Sequence, residues 1–263
     1  MKTRSHVSFA VSAVSAVSAV CAVSAALLLA ACGSKKETAS SGGSGSATTS
    51  KPAEAPAPTG SAVVQGVVRY EGAAPAAEPW PGAGNADCKG LHPDTIQLVK
   101  VQDGKLEDAF VYIKDGLPKG SYPASTEKVV FDQKGCEFSP RVFGVMAEQP
   151  IEVGNSDKFM HNVKSPEFNQ GFPFNVKKTV QLTEAAVMST IKCDVHPWMR
   201  AYAGVMEHPY FAVTKTDGAF SLKGLPDGEY TVAAWHEKLG TAEQKVKASG
   251  GAPAAVELVF KGS

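Results

Sequence analysis

The chain has 263 residues, 43% hydrophobic and 20% charged, with 25 glycines and 17 prolines, which leaves room for one or two packed domains. Its 26 basic and 26 acidic residues balance, and removing Lys2 and Arg4 with the leader described below leaves 24 against 26. Such a balance excludes the electrostatic footprint of a nucleic-acid binder or of a protein that docks on an acidic polymer.

In chain order, Met1–Ala31 carries Lys2 and Arg4, no acidic residue, and a small-apolar run from Val7 onward that leads into Leu27-Leu28-Leu29-Ala30-Ala31-Cys32. A basic start, an apolar stretch and small residues before a cut site predict a secretory signal over residues 1–31. Leu29-Ala30-Ala31-Cys32 resembles the bacterial lipobox, which implies lipidation of Cys32 and attachment to a membrane through that lipid. The alternatives are an ordinary signal peptide containing a cysteine, or a transmembrane anchor. Gly33 and Ser34 stand where some bacteria place the Asp that retains lipoproteins in the inner membrane. The expected address is therefore the outer membrane, facing the periplasm or the cell surface. Residues 32–61 are mostly Ser, Gly, Ala, Thr, Pro and Lys with almost no large apolar side chain. Such a stretch cannot offset its ordering entropy by burial, so it is expected to be a tether, reaching on the order of 30 Å as a flexible coil.

Past Ser61 the apolar pattern has period two, with turn residues between runs, and predicts β-structure without a long amphipathic helix. Val64, Val68 and Tyr70 share one face of a first strand, and Ala109, Val111 and Ile113 one face of another. Further runs are 129–131, 141–146, 150–153, 176–182, 187–193, 201–206 and 210–214, punctuated by Asp115-Gly116, Asp217-Gly218 and Asp227-Gly228. Many short strands in this span predict packed sheets, hence an all-β chain of sandwich type.

The motif that carries chemistry is Cys193-Asp194-Val195-His196-Pro197-Trp198-Met199, a C-x2-H-x2-M spacing between two predicted strands. A thiolate, an imidazole and a thioether on one loop suit copper, and a trigonal His2Cys set with a weak axial Met is an electron-transfer geometry. The second imidazole comes from His161, after an apolar strand and the polar turn Gly154-Asn155-Ser156-Asp157. Zinc is the chemical alternative, disfavoured because Met is a poor zinc ligand. Together the two segments resemble amicyanin and its plastocyanin and pseudoazurin relatives, the cupredoxins, over roughly Phe131 to His208. The resemblance implies a Greek-key β-sandwich with one type 1 copper ion on His161, Cys193, His196 and Met199. It gives Asn162 the role of tying the two ligand segments together. It also implies that His196 reaches the surface through an apolar patch shared with Pro197 and Trp198, as the exit for electrons. Trp198 stands where that family has Phe.

Cys88 and Cys136 are the remaining even pair in an oxidising compartment, and a disulfide is the default reading, with Cys193 the one free thiol. The last strands, Thr216 to Leu222 and Gly224 to Val232, resemble the small transthyretin-like module called carboxypeptidase regulatory-like. The expected layout is a copper domain over 62–208 and that module over 209–263. The strand at 63–72 also resembles the module's opening strand, so the copper region either precedes the module or is inserted in it. His208 and His236 are read as structural, with a second metal site or a proton-linked contact as the alternative, His92 as a loop residue, and Met146, Met160, Met188 and Met206 as core filling, with a Cu(I)-handling surface as the alternative.

These readings predict a monomeric electron carrier with a protein redox partner, and not an enzyme: no metalloprotease H-E-x-x-H, no G-x-S-x-G elbow and no phosphate-binding Gly loop occurs. The alternatives are an envelope lipoprotein that uses its β-sandwich module for recognition, and a protein that delivers or buffers copper.

Overall fold

The computed structural model describes residues 56–262, which contain twenty β-strands and no helix. In the first part of the chain they are β1 (Ala62–Glu71), β2 (Glu78–Pro79), β3 (Thr95–Ile96), β4 (Val101–Gln102), β5 (Lys105–Leu106) and β6 (Phe110–Asp115). The middle holds β7 (Val129–Gln133), β8 (Phe138–Ser139), β9 (Val142–Met146), β10 (Ile151–Gly154), β11 (His161–Lys164), β12 (Asn169–Phe172), β13 (Lys177–Val180), β14 (Ala186–Lys192) and β15 (Arg200–Met206). The last are β16 (Phe211–Val213), β17 (Ala219–Leu225), β18 (Gly228–His236), β19 (Gly240–Ala248) and β20 (Ala254–Lys261). The chain is all-β.

Two sandwiches share all of these strands except β2 and β3, which pair only with each other. In the first, β1 lies between β17, antiparallel, and β20, parallel from Val64↔Ala254 to Glu71↔Lys261, with β5 and β4 extending the sheet. The facing sheet runs β16-β6-β18-β19. Alternation sends Val64, Val68 and Tyr70 of β1, Val111 and Ile113 of β6, Leu222 of β17, Val232 of β18 and Leu258 of β20 into one core. Strands at both ends of the chain thus make this sandwich, and β7 to β15 lie between them in sequence. Backbone pairing joins β1 directly to β17 and β20, and β6 to β16 and β18.

The second sandwich packs β13-β10-β7-β8 against β12-β11-β14-β15-β9. Its core joins Phe131, Phe143, Val145, Ile151, Val153, Val163, Phe172, Leu182, Ile191, Ala203 and Val205. Successive β15 residues alternate between this core and the opposite face, where Tyr202 and Met206 meet Phe110 and Tyr112 of β6. The β6 run Phe110-Val111-Tyr112-Ile113 is therefore apolar on both faces because both are covered. Gly204 and Gly144 make the approach possible: a Cβ would stand 2.2 Å from the Phe110 ring at Gly204 and 2.4 Å from the Phe211 ring at Gly144. At the edge of this joint Arg141 forms a two-pronged ion pair with Glu237, one arm being Nη2 to Oε2 at 2.8 Å.

The end of the expected tether is held to this body. The Ala57 amide donates to the Ser121 carbonyl (2.9 Å), the Gly60 amide donates to the Gly224 carbonyl (3.0 Å), and Ala57 is buried. Backbone pairing, which needs no large side chain, orders residues that composition alone assigns to a coil. The signal segment and Cys32 lie outside the described residues.

Candidate metal centre

Each ligand candidate is placed by local chemistry. After β10, the Asn155 side chain accepts the Asp157 amide (2.9 Å) and donates to the Phe159 and Phe172 carbonyls (2.8 and 2.7 Å). This Asx turn shapes the polar loop and delivers His161 to the first position of β11. Cys193 follows β14, and the Met199 amide donates to the His196 carbonyl (2.9 Å) while the Cys193 amide donates to the Met199 carbonyl (3.3 Å), closing a tight loop before β15.

The two segments converge. His161, Cys193 and His196 are buried, and one ligand atom from each lies within 4.8 Å of the others. The Nδ1 atoms of His161 and His196 face each other at 2.8 Å. Met199, on the same loop, is buried in the core that holds Cys193. Asn162 joins the segments: its Oδ1 accepts the Asp194 amide (2.6 Å) and lies 3.3 Å from Cys193 Sγ, while its Nδ2 donates to Asn169 and Asp194. Of the groups the sequence singled out, the structure brings together His161, Cys193 and His196, with Asn162 and Met199 beside them.

The electrostatics push the three groups in different directions. Burial pushes the Cys193 thiol up, but the His161 ring and backbone amides, including that of His196 (3.3 Å), outweigh it and hold the thiol below its ordinary range. Burial and the neighbouring His161 charge hold His196 low, hence neutral. For His161 burial works the other way from its partners. The Asp157 carboxylate, 2.9 Å from Nε2, and the Cys193 sulfur outweigh burial and raise the imidazole. Asp157 keeps the proton of a neutral ring on Nε2, so that Nδ1 presents its lone pair toward His196 and Cys193. This donor set, two imidazole nitrogens and a thiolate-leaning sulfur beside a thioether, fits copper.

Asp157 is a residue that sequence reasoning missed, although its place four residues before His161 was visible. It also accepts the Gly135 and Cys136 amides (2.7 and 2.8 Å). Those two residues are the centre of the tight β7–β8 turn, both in the left-handed region (φ 68° and 58°), as a type I′ hairpin turn requires. Despite its own burial, Asp157 is held low by His161 and by these amides.

Replacing Asp157 by Asn should lower the His161 pKa in the metal-free protein. The raised His161 contributes stability that is complete below the ordinary imidazole value and fades as pH rises through its folded value. The depressed Asp157 contributes stability that is present above the ordinary carboxylate range and fades as pH falls through its folded value. The pair therefore counts most in mildly acidic solution. We expect Asp157→Asn to cost about 2 kcal/mol near about pH 5 and clearly less near about pH 9, by denaturant unfolding with imidazole NMR titration. A loss independent of pH would remove the ion pair from the account.

His196 departs from the expectation that it reaches the surface: it is 2% exposed. The cause is a cap between β2 and β3. Asn85 organises it by accepting the Asp87 and Cys88 amides (2.9 and 3.2 Å), and the Cys88–Cys136 disulfide pins it to the β7–β8 turn. Trp80, Cys88 and Cys136 form a small core that also takes in Phe159 and Trp198. The Trp198 ring lies 5.3 Å from that of His196, the Trp80 ring packs edge-on at 5.9 Å from Trp198, and Trp198 Nε1 donates to the Cys136 carbonyl (3.2 Å). His92 stacks on Trp80 (4.6 Å) and pairs with Glu137 (3.1 Å), so it braces the cap. Pro197 is exposed and Trp198 half-buried. Among the described residues Cys193 is the one free cysteine. His208 stacks on Tyr210, and His236 is buried near Phe260; neither joins a ligand cluster among the described residues. Met146 and Met206 are buried, whereas Met160 is 52% exposed.

No protein-family model matches the chain, and no curated protein matches it in sequence. Among solved structures, a copper-containing nitrite reductase from Thermus scotoductus is similar over 36% of this chain and 26% of its own, at 17% identity and a TM-score of 0.29. The chain thus spans about a quarter of that reductase. A purple cupredoxin from Nitrosopumilus maritimus is similar over 29% of this chain and 98% of its own (16% identity, TM-score 0.27). An amicyanin from Paracoccus versutus is similar over 36% of this chain and 96% of its own (17% identity, TM-score 0.27).

Proposed function

We propose that the β7–β15 sandwich is a cupredoxin-like domain whose one type 1 copper site, on His161, Cys193, His196 and Met199, carries single electrons. The observation that supports this reading is the convergence of two imidazole nitrogens and the Cys193 sulfur within 4.8 Å in a buried pocket. A copper ion held there would supply the one-electron Cu(I)/Cu(II) couple. The chain's own residues supply the conditions for it. Hydrogen bonds bias Cys193 toward thiolate, Asp157 fixes the His161 tautomer, and Asn162 locks the two ligand segments in register. Packed strands on either side and the cap over His196 exclude water and limit how far the ligands move when the charge changes. In this reading the protein is a carrier and not an enzyme, anchored through Cys32 in the cell envelope, and it exchanges electrons with a redox partner. Protein loaded with one equivalent of Cu(II) should show an intense thiolate-to-copper band in the visible. A colourless complex overturns the reading.

A further inference from the structure

With His196 covered, the ligand loop meets solvent beside Trp198. A cavity of about 410 Å3 lies there, walled by Trp80, Pro81, Ile96, Leu98, Pro197 and Trp198. That volume falls in the range of small-molecule sites, and flat apolar walls suit an aromatic ring. Three charged side chains border it. Glu78 is engaged by Lys238 (3.1 Å) and Arg141 by Glu237, so both are neutralised. Arg200 is exposed and has no ion-pair or hydrogen-bonded side-chain partner among the described residues. Its guanidinium leaves the mouth with one uncompensated positive charge and a fork shaped for a carboxylate or sulfonate.

We propose that this cavity binds a small aromatic anion, its ring against Trp198 and Pro197 and its acid group on Arg200. Seated there, the ring would touch the indole that itself lies 5.3 Å from the His196 ring, centroid to centroid. This binding does not rest on the copper reading.

The test uses the metal-free protein and redox-inert probes. Naphthalene-2-sulfonate should quench tryptophan fluorescence saturably, and Arg200→Gln should weaken it by about tenfold or more, the value of a charge-assisted contact. Naphthalene-2-methanol, the neutral analogue, should bind wild type and Arg200→Gln alike. Arg200 is exposed, and circular dichroism checks that the variant folds. Absence of saturable quenching, or equal sulfonate affinity in the two proteins, overturns the proposal. If that happens while the copper-loaded protein shows its visible band, the copper reading stands without the pocket. If the sulfonate binds through Arg200 but no band forms, the pocket stands and the copper reading falls.

Discussion

Replacing Cys193 by serine is expected to abolish the visible band of the copper-loaded protein and to weaken copper binding by more than about 100-fold, with the fold intact. Partners outside the ligand set are already worth about 10–100-fold in such sites, so loss of the thiolate itself should exceed that. A serine hydroxyl stays protonated and is a hard donor, so it supplies neither the covalency nor the charge that copper takes from sulfur. The fold should survive because the substitution is nearly isosteric. The hydroxyl can keep both neighbours of the sulfur, accepting from the His196 amide and donating to Asn162 Oδ1, each 3.3 Å from Sγ. A stability change of about 1 kcal/mol is expected for that exchange. The measurements are the visible spectrum, a competition titration with a copper chelator, and denaturant unfolding of the metal-free variant. A band that persists in the serine variant would remove Cys193 from the ligand set, and with it the type 1 assignment.

The loop that holds the candidate ligands Cys193, His196 and Met199 was readable as one loop because it is local. C-x2-H-x2-M lies between two alternating strands, and one short loop decides where all three side chains go. The strands of the second sandwich were readable for the same reason. Predicted runs at 129–131, 150–153 and 201–206 correspond to β7, β10 and β15, because period-two alternation and flanking turn residues are properties of a few neighbouring positions. Partner choice is not local. Nothing in Val64–Glu71 announces that it will pair, parallel, with Ala254–Lys261 at the far end of the chain. Only the weaker likeness of the strand at 63–72 to the opening strand of a C-terminal module pointed that way. One available signal was passed over. The unbroken run Phe110-Val111-Tyr112-Ile113 has no polar face, and a strand apolar on both sides has two packed neighbours. Read that way, β6 would have been placed between the two cores.

The cap was the largest omission. Residues 80–94 hold three glycines, two aspartates, one tryptophan and one cysteine, and carry no period-two pattern that marks a packed element. Its burial of His196 depends on a turn about fifty residues later, where Gly135 and Cys136 take left-handed backbone conformations and point a sulfur at Cys88. The pairing of Cys88 with Cys136 was inferable from the arithmetic of cysteines; what the bridge covers was not. Asp157 belongs to the same assembly, since one carboxylate holds both the turn that carries Cys136 and the imidazole of His161.

Removing that bridge should therefore do two separable things. The cysteines are 48 residues apart, and releasing the loop they close in the unfolded chain should cost about 4 kcal/mol, or about 8–16 °C in Tm for a body of this size. The second effect is local. In the double variant Cys88→Ser, Cys136→Ser, the cap keeps the short β2–β3 pairing and the His92–Glu137 contact but loses its covalent pin over the ligand loop. A single, partly exposed contact of that kind contributes about 1 kcal/mol at most, too little to hold Trp80 closed. His196 should then become reactive to diethyl pyrocarbonate in the metal-free variant under conditions where the parent is protected, with the modified residue identified by mass spectrometry. Copper loss to a chelator should quicken in parallel, because the cap and not the ligands was keeping competitors out. The Asp157 contacts to the β7–β8 turn do not involve sulfur, so the visible band itself should remain. A variant that loses stability yet still protects His196 would show that the cap closes by packing alone. One that loses the band would show that the turn, and not the cap, is what positions the ligands.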